Sequence, residues 1–457
     1  MARGKKKESA LTPEEKLAQA LVPDWEQPYK VPVNWCWIHL GSIGYTNIGL
    51  TYRPGDVSQT GTIVLRSSNI QNGQMDYSDV VCVKMDVPES KMSQKGDILI
   101  CARNGSKALV GKTAIIDRDG MSYGAFMAIF RSKYNNLIYY YLNSHYFRDI
   151  IDHDVGTTTI NQVTQSLIKE LPFPLPPLAE QKRIVARIEY LFAKLDETKE
   201  KAQFVLDSFE TRKAAILHKA FTGELTAKWR AEHGVNLDGW QQTTIGKESL
   251  LITKGASPRW QGITYTDDKS QTLFVTSENV RDGYLDLTKE KYLDNRINEI
   301  QRRSVLQKGD VLVNIVGASI GRAAIFDLEC LANTNQAVCL IRLKGSVVNR
   351  FLCYYLNSPV ALTYYGENKV ETARANISLT NISDMGIALP SVVEQHEIVS
   401  ILDSLFAKEQ QAKEAAETVL EKIDLLKKSI LARAFRGELG INASTEESSL
   451  ELLLKSS

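Results

Sequence analysis

The chain repeats itself at a fixed distance. Leu175-Pro-Pro-Leu-Ala-Glu-Gln181 returns as Leu389-Pro-Ser-Val-Val-Glu-Gln395, each copy followed by a helix-like stretch. Phe192-Ala-Lys194 returns as Phe406-Ala-Lys408, and Phe221-Thr-Gly-Glu-Leu225 as Phe435-Arg-Gly-Glu-Leu439, all at one offset of 214 residues. Three separated motifs sharing one offset mark a duplicated unit. A chain built this way folds as two similar parts, suited to gripping two separate sites on one long partner.

The 457 residues suffice for two or more domains with ample core. Lys and Arg number 55 against 54 Asp and Glu, a formal net charge of +1. That balance excludes a wholly basic nucleic-acid coat but leaves room for a local basic groove. No apolar run approaches the ~18 residues needed to span a bilayer. Arg3-Gly-Lys-Lys-Lys7 is not followed by an apolar segment, so it reads as a solvated basic tail or a supplementary phosphate contact rather than a secretory signal. Cys36, Cys82, Cys101, Cys330, Cys339 and Cys353 form no C-x-x-C pair. Reduced thiols in a cytoplasmic protein are therefore expected, with no metal site and no membrane association.

The pattern predicts an α+β fold with an internal pseudo-two-fold repeat. Residues 1–32 form an N-terminal arm, in which Thr12-Pro-Glu-Glu15 reads as a capping box for a short helix carrying Leu17, Ala20 and Leu21. Residues 33–177 form a first globular unit with strands around Thr62–Leu65, Asp97–Cys101 and Thr113–Ile116, and turns at Asn72-Gly73 and Asp119-Gly120. Residues 178–222 form a long helix and 223–239 a linker. A second globular unit covers 240–391, a second long helix 392–436, and a tail 437–457. The second unit repeats the grammar of the first. Ser68-Asn-Ile-x-Asn-Gly73 matches Glu278-Asn-Val-x-Asp-Gly283, Lys95-Gly-Asp-Ile-Leu99 matches Lys308-Gly-Asp-Val-Leu312, and Tyr140-Tyr-Leu-Asn-Ser144 matches Tyr354-Tyr-Leu-Asn-Ser358.

Each long helix carries apolar residues in alternating steps of four and three. The first stripe runs from Ile184 and Ile188 to Ile216, the second from Ile398 and Leu402 to Ile430. This is the a/d seam of a coiled coil, and the simplest partner for each stripe is the other, giving two long helices packed as an antiparallel pair. Arg212 and Glu409 interrupt the seam. They either fix register or sit at a frayed or partner-covered end.

The sequence carries no phosphate-binding G-x-x-x-x-G-K-[ST] loop, no dinucleotide-type glycine turn, no nucleophile elbow and no Asn-Pro-Pro or Asp-Pro-Pro aromatic tetrapeptide. It does carry short polar loops beside strand ends, whose donors suit phosphates and base edges. In the first unit these place Arg103, Asn104, Ser106 and Lys107 after a strand, with Lys112 next, and add Arg53, Arg66, Ser67, Asn69, Asn161 and Gln162. In the second unit Ser319 and Arg322 occupy the matching slot, joined by Arg259, Ser277, Asn279, Asn335, Gln336, Arg374 and Asn376. Any of these also serves as a turn or helix cap. One slot filled by different residues in the two halves is what two readers of two different sequences would need.

With these motifs in place, the chain resembles the DNA-specificity subunit of type I restriction–modification systems over nearly its whole length. The carriers are the two Leu-Pro-x-x-x-Glu-Gln helix openings, the Phe-x-Gly-Glu-Leu closings and the paired Lys-Gly-Asp strands. The leads Tyr29-Lys-Val-Pro-Val-Asn-Trp35 into Leu40-Gly41 and Leu237-Asp-Gly-Trp240 into Ile245-Gly246 add to them. The resemblance implies two target-recognition domains in inverted orientation on an antiparallel coiled coil, each reading half of a bipartite asymmetric DNA target. It implies a non-catalytic chain with no cofactor of its own. Double-stranded DNA, two methylation subunits that bind S-adenosylmethionine, and restriction/translocase subunits that use ATP and Mg are its implied partners. It also implies a circular arrangement in which the tail after Gly440 and the arm before Val33 meet. The piece Glu446–Leu454 is then a short partner-docking helix or a loose tail. A generic tandem binding scaffold and an enzyme with an unrecognised site are the competing readings.

Overall fold

The structure, a computed structural model, describes residues 12–154, 162–370 and 375–454. The basic stretch Arg3–Lys7 lies outside them. The chain divides into two compact units, the first made of residues 1–202 with 418–457, the second of residues 203–417.

In the first unit, helix Pro13–Ala20 opens on the expected capping box. The Glu15 N–H donates to Thr12 Oγ1 at 3.2 Å and the Thr12 N–H to Glu15 Oε2 at 2.8 Å. Strand Cys36–His39 pairs antiparallel with Pro172–Leu175, tying the beginning of the globular part to its end. Between them lie two four-stranded sheets. One runs in the order Tyr45–Ile48, Met127–Arg131, Ile98–Cys101, Thr113–Ile115, all antiparallel. The other runs Ser122–Tyr123, Thr62–Leu65, Val81–Val83, Val57–Ser58, its first pair parallel. The unbroken apolar run Ile98–Cys101 is explained by burial on both faces. Ile98 and Ile100 join the helix-side core with Phe130 and Ile138, while Leu99 and Cys101 join the inter-sheet core with Leu65 and Tyr123. Asn72 and Gly73 both take positive φ, 52° and 76°, and turn a tight hairpin between Ile70–Gln71 and Gln74–Met75.

The second unit repeats this plan. Gln241–Thr244 pairs with Gly386–Leu389. Its sheets run Ser249–Lys254, Val338–Leu343, Val311–Asn314, Ala323–Ile325, and Tyr265–Thr266, Tyr292–Leu293, Thr272–Val275, Ala332–Thr334. Val311 and Val313 face one core and Leu312 the other.

The repeated motifs hold the framework. Asp97 of Lys-Gly-Asp is buried, accepts the Gln94 N–H at 2.8 Å and takes a bidentate pair of bonds from Arg131, both at 2.6 Å. Asp310 does the same with the Gln307 N–H at 2.7 Å and Arg342 at 2.8 Å twice. The second tyrosine of Tyr-Tyr-Leu-Asn-Ser donates to a backbone carbonyl next to the closing strand, Tyr141 to Pro172 at 2.6 Å and Tyr355 to Gly386 at 2.5 Å.

The long helix expected over 178–222 is present as Leu178–Asp207 and Phe209–Phe221 with one irregular residue between them, Ser208, which stays in the α region (φ −87°, ψ −4°) and keeps its N–H on the Phe204 carbonyl at 3.1 Å. Ser208 Oγ donates back to the Phe204 and Val205 carbonyls at 2.5 and 3.4 Å, and Arg212 donates to the Val205 carbonyl at 3.2 Å. Side chains thus share the Phe204 and Val205 carbonyls with the helix ladder, which makes the helix locally irregular. The later helix, Val392–Phe435, is continuous. In the second unit the two seam-breaking residues meet each other, with Arg212 Nε 2.8 Å from Glu409 Oε2, and Lys413 lies 5.1 Å from the Phe209 ring. In the first unit Lys427 Nζ is 2.6 Å from Asp196 and 5.1 Å from the Phe192 ring centroid.

Each helix-opening Glu-Gln pair is buried. Glu394 Oε1 accepts from Arg230 at 2.7 Å and Thr226 at 2.8 Å, and its Oε2 accepts the Trp240 indole N–H at 3.1 Å. Arg230 belongs to helix Ala227–His233 inside the segment 223–239 expected to be a plain linker. In the first unit Glu180 Oε2 accepts the Trp35 indole N–H at 2.7 Å and Asn442 at 2.7 Å, while Oε1 has no partner. Asn442 lies in the C-terminal tail, which takes the place that the linker holds in the second unit. Of the two alternatives for Glu446–Leu454, the loose tail is corrected and the short helix is present. Helix Ser449–Leu454 docks on its own unit, with Leu453 buried and the Ser449 N–H and Oγ both donating to the Asn34 carbonyl at 3.0 Å. Arg183 grips Glu446 bidentately at 2.8 and 2.9 Å.

The two glutamates should therefore respond differently to loss of charge. Glu394→Gln leaves Arg230 buried without a counter-charge and is expected to cost about 3 kcal/mol in urea unfolding. Glu180 has no cation bonded to it, and burial raises its pKa above 4.5 despite bonds from Trp35 and Asn442 that lower it. Its folded form thus binds its proton more tightly than the unfolded form. That contribution to stability is full at acid pH and is lost as pH rises from 4.5 through the folded value. Glu180→Gln should be tolerated, and its stability relative to the parent chain should rise with pH across that window; a parallel pair of pH–stability curves would refute this.

Candidate nucleic-acid interface

Four strand ends converge at one edge of each unit, held by backbone bonds. In the first unit the Gly124 N–H donates to the Leu65 carbonyl at 2.9 Å, Leu50 to Tyr123 at 2.6 Å, and Ala102 and Arg103 both to Phe126 at 2.9 and 3.0 Å. In the second, Asn335 donates to Val275 at 3.3 Å, Gly255 to Asn335 at 3.2 Å and Ile315 to Ala337 at 2.9 Å. A β-carbon at Gly49 would lie 2.2 Å from the Tyr123 and Gly124 carbonyl oxygens, and one at Gly255 only 1.6 Å from that of Thr334. Glycine is required at both places for the chain to pass this close. A later segment joins the same edge: Val163 donates to Ala102 at 2.7 Å and Ile377 to Ile315 at 2.9 Å. These bonds set Gln162 opposite Arg103 and Asn376 opposite Val316.

In the first unit this edge forms an open groove of about 1220 Å³, lined by Arg66, Ser67, Arg103 and Asn104 together with Tyr52 and Phe126. Asn104 Nδ2 donates to Ser67 Oγ at 3.2 Å, which sets both polar tips side by side. Arg66 is held by Asp79 at 2.8 Å, and the Arg103 guanidinium lies 5.4 Å from the Phe126 ring centroid. Arg53 sits exposed on the adjoining loop, its N–H capped by Asp56. Ser106 is exposed, Lys107 reaches the Asp152 carbonyl at 3.0 Å, and Lys112 is half-buried beneath them. Burial raises the Cys101 thiol pKa, partly opposed by the Lys112 charge, and burial followed by Asp97 pushes the Tyr123 phenol up to about 12. Both are buried in the inter-sheet core and stay neutral.

The second unit presents different chemistry on the same edge. Ser277 and Asn335 are both tied to this edge, with Asn314 Nδ2 donating to the Ser277 carbonyl at 3.0 Å and the Asn335 N–H to the Val275 carbonyl at 3.3 Å. Gln336 is exposed beside them, and Arg259 and Trp260 are exposed on the loop that leaves Gly255. Ser319 is on the short turn Gly317–Ser319, next to Asn376 through the Gly317-to-Ala375 bond of 2.8 Å.

Some candidates fall elsewhere. Asn69 and Asn279 are buried and do not face outward. Asn69 accepts from the Arg66 N–H at 2.8 Å and donates to the Asp76 and Asp79 carbonyls at 2.8 and 2.9 Å. Asn279 accepts from the Thr276 N–H at 2.9 Å and donates to the Asp286 and Lys289 carbonyls at 2.9 and 3.3 Å. Arg322 lines a different groove with Arg281, Lys213 and Arg350. Asn161 and Arg374 lie outside the described residues. Three aromatic residues at the edge, Tyr52, Phe126 and Trp260, were not anticipated, because sequence alone does not distinguish an exposed ring from a core one. Among the described residues no group of His, Cys, Asp and Glu could hold a metal ion, and no helix is long and apolar enough to cross a membrane.

Comparison with known proteins agrees on one family. The model described as "Type I restriction modification DNA specificity domain" matches residues 32–204 and 268–421. The chain is 29% identical over 426 residues to the type I restriction enzyme StySPI specificity subunit of Salmonella potsdam, covering 90% of each. It is 31% identical over 320 residues to the EcoBI specificity subunit of Escherichia coli, covering 67% of this chain and 66% of that one. The crystal structure of the HsdS subunit from Thermoanaerobacter tengcongensis superposes with a TM-score of 0.64 at 21% identity, over 91% of this chain and 100% of that one, and shares the fold.

If Asn69 and Asn279 serve their own loops, Asn69→Ala should cost about 2 kcal/mol of stability in thermal unfolding through lost buried bonds. The pattern of modified DNA sites should stay the same. A changed target with unchanged stability would reverse the assignment.

Proposed function

Because this chain belongs to the family of type I restriction–modification DNA specificity subunits, non-catalytic subunits that target their complex, we propose that each unit reads one half of a bipartite, asymmetric sequence in double-stranded DNA. Two methylation subunits, using S-adenosylmethionine, then modify adenines at the sites so marked. Restriction/translocase subunits using ATP and Mg act on unmodified DNA in the cytoplasm. The observation that carries this reading is the contrast between framework and edge. The Asp–Arg pairs, the tyrosine bonds and the Glu–Trp locks recur with the same roles, whereas Arg66, Arg103 and Asn104 on the first unit's edge stand where the second unit has Thr276, Val316 and Gly317, and the second unit offers Asn335, Gln336 and Arg259 instead. Guanidinium groups suit guanine edges and phosphates, and side-chain amides suit adenine.

The long helices act as the ruler between half-sites. An antiparallel coiled coil is supported by the falling order of partners in the second unit, Phe209 with Lys413 and Arg212 with Glu409, and by Asp196 with Lys427 in the first. A charged pair inside a seam fixes register, and Arg212 with Glu409 takes that role here.

Exchanging residues 33–177 for the corresponding part of another family member should change one half of the mapped methylation target and keep the other. Arg103→Ala should relax one base position of the first half-site by about 1–3 kcal/mol. A target unchanged by the exchange would refute the half-site reading. Adding one heptad to each helix, about 10 Å, should lengthen the spacer by about three base pairs; an unchanged spacer would refute the ruler.

A further inference from the structure

We propose that each unit carries an aromatic blade that enters the DNA base stack, Phe126 in the first unit and Trp260 in the second. The proposal rests on the reading that both edges face duplex DNA. Phe126 is 60% exposed and Trp260 82% exposed. Single exposed apolar residues are common on protein surfaces, so exposure does not decide the matter. Three further features do.

The first is rigidity. The Phe126 carbonyl accepts two backbone N–H groups, from Ala102 and Arg103, and the next residue, Met127, is buried at the start of a central strand. Trp260 stands on the turn Pro258–Gln261, whose Pro258 is buried and closed by the Ile263 N–H at 3.0 Å, with Ile263 packed against Phe274. Each ring is therefore projected from a fixed backbone and needs little ordering on binding. The second is company. Phe126 lines the groove with Arg66 and Asn104 under the Arg103 guanidinium, and Trp260 follows exposed Arg259. A cation beside a ring can hold a phosphate while the ring stacks. The third is substitution of one device by another. Ala337 occupies in the second unit the place of Phe126, accepting the Ile315 N–H as Phe126 accepts that of Ala102. The second unit supplies its ring from a different loop.

A base cannot be modified inside a duplex stack, and extruding it costs a few kcal/mol. Apolar side chains inserted between base steps offset such unstacking. A blade in each recognition unit would loosen the stack next to the adenine that the partner subunit takes out, so that the specificity chain helps open the DNA that it selects.

The test uses the full chain assembled with its methylation subunits and the duplex identified by methylation mapping, with 2-aminopurine placed in turn at each adenine. The parent complex should raise fluorescence at one position or more in each half-site. Phe126→Ala should remove the signal from the first half only and Trp260→Ala from the second half only, each with about tenfold weaker binding. Because no phosphate contact is lost, the slope of log K against log salt should not change. Phe126→Tyr and Trp260→Phe should keep the signal, which separates stacking from misfolding. Unchanged fluorescence in both alanine variants, or a shallower salt slope, would overturn the blade while leaving half-site recognition intact. A parent complex that binds no DNA would overturn both.

Discussion

A buried carboxylate at the mouth of each long helix holds each unit closed. Glu180 and Glu394 each accept the indole N–H of the tryptophan that leads into the globular part, Trp35 or Trp240. Each also accepts from the segment after the other long helix, through Asn442 on Glu180 and through Thr226 and Arg230 on Glu394. One side chain therefore joins the lead, the helix start and the linker or tail. A buried carboxylate is costly unless its oxygens are satisfied, so the donors on all three segments are required together. The second unit satisfies its glutamate with a cation, the first with neutral donors only, and the first leaves one oxygen without a partner.

The duplication made the fold readable. Residues that recur at matching places in the two halves bind backbone or other framework side chains: Asp97 and Asp310, Tyr141 and Tyr355, Glu180 and Glu394. Asn69 and Asn279 belong to the same class. Asn is a common base-edge donor, which makes both look like reading residues, yet their recurrence marks them as framework. Divergence is the better guide to the edge. Arg103 where the second unit has Val316, and Phe126 where it has Ala337, are unlike residues on like backbone.

Other features were not legible for physical reasons. The irregularity at Ser208 leaves the seam of apolar residues intact in sequence, because it goes with a hydroxyl returning to the preceding carbonyls and with Arg212 reaching back to Val205. Arg212 and Glu409 lie 197 residues apart, and only the folded chain shows that each supplies the other's counter-charge. The exposed rings of Phe126 and Trp260 are equally silent in sequence, since apolar patterning near a strand end fits a core residue just as well.

Unit composition also constrains how the chain acquires its structure. The second unit is one continuous stretch, plugged by Phe221, whose ring lies 5.3 Å from Phe351 and 5.2 Å from Tyr355. The first is discontinuous, and its plug is Phe435, 4.9 Å from Tyr141 and 6.4 Å from Phe173. Its arm and tail are tied by Ser449 on the Asn34 carbonyl, across 415 residues of chain. Closing so long a loop is entropically mild, because the cost grows only with the logarithm of length and a folded insert shortens it further. What it imposes is order. Residues 203–417 hold everything that their own core needs, whereas the first unit lacks its aromatic plug and the Asn442 donor to Glu180 until the last forty residues are in place. Completion of the first unit's helix-side core is thereby coupled to residues 418–457.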